Sequence, residues 1–587
     1  MKLVRDLNVN RRDLNDWENG LEWSREGTLV LGTTPEITVA EPIYRRDIER
    51  NAKNMFQLRS CELPVEENAL EFVQTGLNTL LNSDPASKVR ATKPSSVHNL
   101  LACLTTNGNC IIFENQLLAT NITPTEGTVE SRTIHSVCWS PDDQYICLGN
   151  ECGQLIIYSV HENEGSQRFT FNQERIIDTN IGPNNWITSI IWENCTIICS
   201  LLDNSVHRIE NFEPAQELKG ASRFKINDMK IIHNHLLIST TGTLHSINLS
   251  TMNVLQTAFN NYESFHIIPL HHARENNVSA VLISNRNSIK IIIKDTDIIV
   301  QDDDIVSPHL EKKVKKWCTL FNEYNKYEVS LFIYGISLSP DGYSVAILFS
   351  IDRISLKYRI VSENRFYITF IPLYQSWSLT KSALGLAWYQ TYCIYECAAP
   401  ENLQLNIKSE LAQVDKSLPF KKYLDSLMDN EDIIKMQFSN FIQGQSDIRY
   451  ILEAIYEFCT ANKHSILNPL DRACISYISA ILEREQPFEE EPFTIRGDHI
   501  EEHFSPQDVK DADIVISNEN HTWKRCAITF LPLLTTKLKI CPVTGRRIID
   551  ISNDKLNEYG WLTRTLLETY SSNSPYSGTP FTTTYKN

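Results

Sequence analysis

The feature that most constrains the fold is a repeat of short apolar strand cores in the first 375 residues. Seven cores are visible: TLVLG (28–32), LLACL (100–104), YICLG (145–149), TIICS (196–200), HLLIS (235–239), SAVLIS (279–284) and YSVAIL (343–348). Their spacing is about forty to fifty residues in the middle of the series, which is the length of a four-stranded propeller blade. One blade cannot bury both faces of its sheet, so the series predicts a seven-bladed, WD40-like β-propeller over residues 1–375. A β-sandwich with additional hairpins is the alternative fold.

The turns between strands support the blade interpretation. Residues 140–143 read SPDD and residues 339–342 read SPDG, each between two apolar runs. The proline fixes its own φ and has no N–H to donate, while the aspartates can accept hydrogen bonds from nearby backbone. Residues 131–160 therefore form the meander of one blade, and ISLSPDGYSVAI (336–347) repeats that design.

A helix is predicted inside the last wide gap, in SPHLEKKVKKWCTLFNEYNKYE (307–328). Four apolar residues recur there at helical spacing: Leu310, Val314, Trp317 and Leu320. A helix inserted between blades is the simpler interpretation. The alternative is a partner-docking element, whose candidate residues are Lys312, Lys313, Lys315, Lys316 and Trp317.

Beyond the propeller, the period changes. After a connecting segment (376–420), residues 421–587 are expected to form a smaller α/β domain. Helices are predicted at 447–459, 470–482 and 555–570, and short strands in AITFLPLL, KLKICPV and RRIIDIS, with a P-V-T-G turn between the last two. The tail SSNSPYSGTPFTTTYKN is polar and is expected to fray.

An acidic stretch lies within that domain. Residues 483–519 contain twelve acids against three bases, together with three prolines. This composition predicts a mobile acidic loop. A site for a basic partner is the alternative, with Glu489, Glu490 and Glu491 as the candidate residues.

Charge and cysteine usage narrow the functional class. The chain of 587 residues has a formal net charge of −17, whereas a protein that binds DNA mainly through its own surface usually has a basic face. Its fifteen cysteines are odd in number and lie largely in strand-like runs, so a reducing compartment is expected. No apolar run of membrane-spanning length and no signal peptide are found in the sequence.

Motifs for chemistry are missing from the sequence. It contains no phosphate-binding loop, no G-x-S-x-G nucleophile turn, no H-E-x-x-H and no C-x-x-C. Cys526 and Cys541 come nearest to a metal pair, but Thr544 stands where a C-x-x-C would be completed. We therefore predict no catalytic residue, no cofactor and no metal, and favour a rigid interaction platform.

An ordered set of longer stretches resembles a known family. The stretches are SRTIHSVCWSPDDQYICLGNECGQL, LEKKVKKW, YGISLSPDGYSVAI, ALGLAWYQTY, HTWKRC, KICPVTGRRIIDI and LNEYGWLTRTLLE. Together they resemble the sixty-kilodalton, tau-B subunit family of the RNA polymerase III transcription factor TFIIIC. The resemblance implies a nuclear, seven-bladed propeller protein with an α/β C-terminal domain, in the half of TFIIIC that recognises the B-box promoter of transfer RNA genes.

The same resemblance implies partners and one enzymatic alternative. Family members pair with a ninety-one-kilodalton propeller subunit and contact the TATA-binding protein while TFIIIB is assembled, so promoter DNA is expected to be reached mainly through other subunits. Animal members carry a C-terminal zinc-binding segment and are linked to histone acetylation. The alternative function is thus an acetyl-CoA-dependent histone acetyltransferase, although Ser382 in SALGLA occupies the place of the Gln or Arg of an acetyl-CoA loop. A scaffold outside transcription is the third hypothesis.

Overall fold

The chain divides into two compact units in a computed structural model. Unit 1 comprises residues 1–43, 54–376 and 394–396, and unit 2 comprises 44–53, 377–393 and 397–587. The residues that the structure describes are 2–3, 7–9, 20–24, 27–32, 36–42, 56–62, 89–96, 98, 100–114, 117–124, 126–163, 169–179, 185–220, 224–259, 262–270, 278–294, 296–320, 329–353, 366–374, 395–396, 419–430, 433, 437, 448–489, 491–505, 513–579 and 581–583. The predicted connecting segment lies almost wholly outside them.

Unit 1 is built from antiparallel β-sheets. Its described residues form seven four-stranded sheets, numbered here by the chain order of their second strands. Their strands are: sheet 1, Leu21–Trp23, Leu29–Gly32, Glu36–Pro42 and Phe56–Glu62; sheet 2, Val89–Pro94, Leu100–Thr105, Cys110–Glu114 and Leu117–Asn121; sheet 3, Ile134–Trp139, Tyr145–Asn150, Gln154–Glu162 and Phe169–Asp178; sheet 4, Ile187–Glu193, Thr196–Leu201, Val206–Glu210 and Gln216–Glu217; sheet 5, Ile226–Ile232, His235–Thr240, Thr243–Asn248 and Val254–Ala258; sheet 6, His266–Leu270, Val278–Ile283, Ser288–Ile293 and Ile298–Asp302; sheet 7, Val329–Leu338, Ser344–Arg353, Phe366–Pro372 and Leu7–Val9.

The sequence repeat is the repeat of these sheets. Each of the seven predicted strand cores overlaps the second strand of one sheet and extends beyond it by at most one residue. Those strands are apolar on both faces: Leu100–Thr105, for example, is buried at every residue. The mainly β class is confirmed, and the four-stranded antiparallel sheets are those expected of propeller-like blades.

The two predicted turns share one hydrogen-bond pattern. In sheet 3 the N–H of Ser140 donates to the carbonyl of Tyr145 (2.9 Å), and the N–H of Asp143 donates back to the carbonyl of Ser140 (3.0 Å). In sheet 7 Ser339 and Ser344 (2.8 Å), and Gly342 and Ser339 (2.8 Å), form the same two bonds. The fourth turn residue is left-handed in both, with φ of 56° at Asp143 and 71° at Gly342.

Consecutive sheets share hydrophobic cores. Six clusters of buried residues each combine side chains of two neighbouring sheets, from sheets 1 and 2 through to sheets 6 and 7. Sheet 7 also contacts sheet 1, because Trp23 lies 5.4 Å from Phe370 between ring centroids and the N–H of Gly20 donates to the carbonyl of Tyr334 (2.9 Å).

The outer strand of sheet 7 comes from the beginning of the chain. Leu7–Val9 pairs antiparallel with Phe366–Pro372, with Leu7 opposite Ile368 and Val9 opposite Phe366. Lys2–Leu3 pairs likewise with Tyr395–Glu396. Sheet 7 therefore joins strands that are more than 350 residues apart in sequence.

Helices occur in both units. Among the described residues they are α1, Val129–Arg132; α2, Ser307–Leu320; α3, Phe420–Asp429; α4, Arg449–Ala461; α5, Pro469–Ile481; and α6, Trp561–Thr569, with a short 3-10 helix at Lys463–Ser465. The predicted helices at 447–459, 470–482 and 555–570 correspond to α4, α5 and α6. No helix in the described part of the chain is long and apolar enough to cross a membrane.

Unit 2 packs helices α3 to α6 and several short strands around one core. Its strands pair as Phe493–Arg496 with Glu501–Phe504, Ile514–Ile516 with Thr522–Lys524, and Leu538–Ile540 with both Arg547–Ile549 and Thr582–Thr583. The core includes Leu452, Ile455, Ile478, Ile528 and Leu566.

Three expectations for unit 2 were wrong. The stretch predicted as one mobile acidic loop contains strands at Phe493–Arg496, Glu501–Phe504 and Ile514–Ile516, which bury the apolar residues Phe493, Ile495, Phe504 and Val515. AITFLPLL is not a strand, since Ala527–Thr529 form a turn and Phe530 has a φ of 57°. The described part of the tail, residues 571–579 and 581–583, is not frayed, since it forms turns and a short strand at Thr582–Thr583.

Candidate interaction surfaces

The lysine-rich helix α2 is held at its N-terminus by Asp303. The Asp303 carboxylate accepts hydrogen bonds from the N–H groups of Val306 (3.1 Å) and Ser307 (2.7 Å), and from the hydroxyl of Ser288 (2.7 Å) in sheet 6. A carboxylate at this end satisfies backbone donors that have no partner in the helix and complements the helix dipole. The role of Asp303 was not predicted, because it lies four residues before the helix, upstream of the N-cap position at which a capping side chain is expected.

The buried face of α2 packs between sheets 6 and 7. Leu310 and Val314 belong to the core that those sheets share, as predicted, and Cys318 is also buried, which was not predicted. Trp317 is half-buried. The candidate lysines lie along the opposite side: Lys312, Lys315 and Lys316 are exposed and Lys313 is half-buried. The helix therefore presents a compact basic surface, called the lysine surface below.

The acidic candidates lie in unit 2. Glu489 and Glu491 are exposed, and Glu490 is outside the described residues. Glu491 accepts a hydrogen bond from the Arg472 guanidinium at 2.9 Å. Part of the negative charge predicted for a basic partner is thus balanced within the chain.

The cysteines have the properties of structural thiols. All thirteen that the structure describes are free. Burial raises the pKa of Cys61 to about 11, with a contribution from Glu41, and raises the pKa of Cys199 to about 12. A thiol with such a pKa is a poor nucleophile because the thiolate is scarce at neutral pH.

Near the C-terminus, two turns of the same design lie against each other. Turn A is C-P-V-T-G-R (541–546) and turn B is S-P-Y-S-G-T (574–579). In turn A the N–H of Cys541 donates to the carbonyl of Arg546 and the N–H of Gly545 to the carbonyl of Cys541, both at 2.9 Å. In turn B the corresponding bonds join Ser574 to Thr579 and Gly578 to Ser574, both at 2.8 Å.

The glycines of the two turns have the same backbone conformation. Their φ values are 69° for Gly545 and 66° for Gly578, in the left-handed region that favours glycine. The flanking strands bring the turns together, since Leu538–Ile540 before turn A pairs with Thr582–Thr583 after turn B.

Side chains of both turns meet in a buried polar cluster. The Cys541 Sγ lies 3.4 Å from the Ser577 Oγ and 3.2 Å from the Thr579 Oγ1, and the two hydroxyl oxygens are 2.7 Å apart. The N–H of Thr544 donates to the Cys541 Sγ at 3.3 Å. All three side chains of this cluster are at most 1% exposed. The polar cluster helps to hold the described part of the tail in place.

The predicted pair of Cys526 and Cys541 is divided between two environments. Cys526 lies in the hydrophobic core of unit 2, whereas Cys541 belongs to the polar cluster. In the described residues, no group of three or more His, Cys, Asp or Glu side chains is arranged to hold a metal ion. The SALGLA segment considered for acetyl-CoA lies outside the described residues.

Three comparisons relate the chain to known proteins. Residues 496–581 match the family described as "Putative zinc-finger of transcription factor IIIC complex". The whole chain is 41% identical over 591 residues to the transcription factor tau 60 kDa subunit of Saccharomyces cerevisiae, and the match covers 99% of each protein. A chain in the crystal structure of the mitotic checkpoint complex matches with a TM-score of 0.40 and 12% identity, covering 64% of this chain and 96% of that one. Similarity as weak as this last match carries no argument about function.

The residues of the matched segment do not fit a zinc ion. Zinc is held in structural sites by Cys and His, commonly as two pairs with a C-x-x-C spacing. Turns A and B have that spacing at positions 541, 544, 574 and 577, but the residues there are Cys, Thr, Ser and Ser. One thiol and three hydroxyls are a poor zinc ligand set, since only the thiol is among the usual ligands.

Proposed function

The chain belongs to the family of the transcription factor tau 60 kDa subunit, and from this membership we propose that it is a non-catalytic scaffold subunit of TFIIIC. In this role it supports transcription of transfer RNA and 5S ribosomal RNA genes by RNA polymerase III, as part of the tau-B half that binds the B-box. The single observation that carries the proposal is the end-to-end match, which includes both compact units at 41% identity. A subunit with this role acts in the nucleus.

For the architecture, we propose a seven-bladed propeller over residues 1–375, a connecting segment over 376–420 and an α/β domain over 421–587. The seven four-stranded sheets, with hydrophobic clusters between neighbours and aromatic contacts between sheets 7 and 1, support the propeller. Unit 2 mixes helices and short strands around one core, which supports the α/β domain.

The proposed partners are proteins. They are the ninety-one-kilodalton propeller subunit, the other TFIIIC subunits and, during TFIIIB assembly, the TATA-binding protein. The net charge of −17 favours a contribution through protein contacts, with promoter DNA reached mainly through other subunits. The lysine surface and the region of Glu489–Glu491 are the proposed docking elements.

Co-expression with the ninety-one-kilodalton propeller subunit tests the proposal. We expect the two chains to co-purify at moderate salt and to remain together through size exclusion. A salt titration of DNA binding completes the experiment: for the isolated chain we expect a slope near zero, since few phosphates are contacted. Failure to co-purify from a folded preparation contradicts the scaffold assignment, and a steep salt slope contradicts the indirect DNA role.

A further inference from the structure

Turns A and B, which the fold places face to face, keep the backbone of a metal site without its ligands. We propose that they are a pair of zinc knuckles in which a buried hydrogen-bonded cluster has replaced the metal ion. The C-terminal segment of this chain is therefore folded by side-chain hydrogen bonds and packing, and it neither needs nor takes up zinc.

The two turns have matching backbones. Each has proline at its second position and a left-handed glycine at its fifth, and each closes with the same two backbone hydrogen bonds. A C-x-x-C metal turn uses its first and fourth residues as ligands, and these are Cys541 and Thr544 in turn A and Ser574 and Ser577 in turn B. Two such turns supply four positions.

The distances fit a site of zinc dimensions. Tetrahedral zinc with Zn–S bonds of about 2.3 Å places neighbouring sulfur atoms about 3.8 Å apart. The Cys541 Sγ and the Ser577 Oγ, which belong to opposite turns, are 3.4 Å apart. That separation is also within hydrogen-bonding distance for sulfur, so these two atoms can satisfy each other directly without a metal ion.

The chemistry of the side chains explains how the site is stable without metal. Hydroxyls both donate and accept hydrogen bonds, so Ser577 and Thr579 can satisfy each other and the Cys541 thiol in a dry environment. Four thiols at the same positions would have weak hydrogen bonds only, and as thiolates they would repel one another unless a cation neutralised them.

Contacts around turn B supply the cross-linking that a metal ion would otherwise provide. The Tyr576 hydroxyl donates to the carbonyl of Ala527 at 2.8 Å, and the Arg546 guanidinium lies 4.1 Å from the centre of the Tyr576 ring. Arg546 also pairs with Asp513 at 3.1 Å. These contacts tie turn B to turn A and to the core of unit 2 without a metal ion.

The native full-length chain provides the first test. After purification in zinc-containing medium, elemental analysis is expected to find less than about a tenth of a zinc ion per chain, and a strong chelator is expected to leave the unfolding temperature unchanged. About one zinc ion per chain, lost together with the fold of residues 538–583 on chelation and absent from Cys541→Ser, overturns the proposal.

Restoring the ligands provides the second test. The variant Thr544→Cys/Ser574→Cys/Ser577→Cys is expected to bind about one zinc ion per chain, and cobalt in its place should give the absorption of a tetrahedral thiolate site. Because the Thr579 hydroxyl crowds this space, a second variant adds Thr579→Ala. The matched control, Thr544→Ser/Ser574→Ala/Ser577→Ala, should bind none. If the cysteine variants fold yet bind neither metal, the turns are not paired knuckles. Even if neither variant folds, the zinc content of the native chain tests whether the metal ion has been lost from this site.

Discussion

At the scale of single residues, Asp143 connects a turn to the neighbouring sheet. Its buried carboxylate accepts hydrogen bonds from the N–H groups of Ser96 and His98, both at 2.9 Å, while its own backbone is left-handed. Asp143→Ala removes both acceptors and puts alanine at a φ that it disfavours, so we expect a loss of about 3 kcal/mol in local stability. Hydrogen exchange of the Ser96 and His98 amides measures it.

The controls for this substitution differ in what they retain. Asp143→Asn keeps an acceptor and tolerates the backbone conformation, so it should lose less protection than alanine. Asp142 is exposed and its bonds stay within the turn, so Asp142→Ala should leave those amides protected. Equal effects of the three substitutions would contradict the connecting role of Asp143.

Asp471 caps a helix that is distant in sequence. From inside α5 its carboxylate accepts hydrogen bonds from the N–H groups of Leu562 and Thr563 at the start of α6, both at 2.9 Å, and from the Thr563 hydroxyl at 2.8 Å. Since three buried donors lose their acceptor, Asp471→Ala should destabilise α6 by about 2 to 4 kcal/mol.

Hydrogen exchange over residues 561–569 measures the Asp471 effect. The exposed Glu453 on α4 supplies the control, because Glu453→Ala removes a carboxylate without removing a cap. Protection of α6 that survives Asp471→Ala would show that packing alone holds the helix.

His135 makes unit 1 sensitive to acid. Burial, followed by the charge of Arg90, lowers its pKa from 6.5 to about 4. Above pH 6.5 both the folded and the unfolded chain hold it neutral. As the pH falls from there towards 4, only the unfolded chain takes up the proton, so stability declines through this window.

The expected size of this decline is about 1 kcal/mol between pH 7 and pH 5, after allowance for solvent screening. In His135→Gln the loss of stability over the same interval should be smaller by that amount. Chemical unfolding at the two pH values measures it. An identical pH dependence in both proteins would mean that His135 does not carry the effect.

At the scale of elements, α2 is the proposed docking site. Lys312→Glu/Lys316→Glu should weaken binding of the ninety-one-kilodalton partner by several-fold and reduce its salt dependence, because complementary charge is lost. Lys219→Glu/Lys225→Glu is the matched control, since those lysines are also exposed and the change in charge is equal. Pull-down assays at two salt concentrations measure the partner binding and the salt dependence of both variants. Equal losses in the two variants would assign the effect to net charge rather than to the lysine surface.

Secondary-structure elements were predictable from the sequence where the apolar residues follow one clear pattern. The strand cores around Leu101, Leu148 and Leu237 were found because the buried second strands contain short runs of apolar residues. The strands near Phe493 and Phe504 were missed because acids surround the few apolar residues, and the fold buries those apolar residues together with one acid, Glu502. Composition reports the average exposure of a stretch and not which side chains turn inward.

The candidate sites, too, were predictable only where a local sequence pattern marks them. The lysines of α2 were found from a local charge pattern, and three of the four, Lys312, Lys315 and Lys316, are exposed as a docking role requires. Turn B was missed because it was considered as a polar tail, although SPYSG repeats the spacing of proline and glycine in CPVTG. Its order depends on contacts with Cys541 and Ala527, which are far away in sequence.

At the scale of the whole molecule, the pairing of Leu7–Val9 completes sheet 7. Asn8→Pro removes a backbone N–H and restricts φ, so the short strand should detach from Phe366–Pro372 at a cost of about 3 kcal/mol. Faster hydrogen exchange at residues 366–368 is the expected readout, and Asn8→Ala should leave exchange nearly unchanged. Full protection in the proline variant would mean that the pairing adds nothing to sheet 7.

This pairing also sets an order of events during synthesis. The ribosome makes Val9 first and must add more than 350 residues before its partner Phe366 exists. At about 5 to 20 residues per second, the early segment waits roughly 20 to 70 s. During that interval the nascent strand lacks its partner and can pair with the wrong strand. We therefore expect a chaperone to shield this early segment until translation has nearly finished.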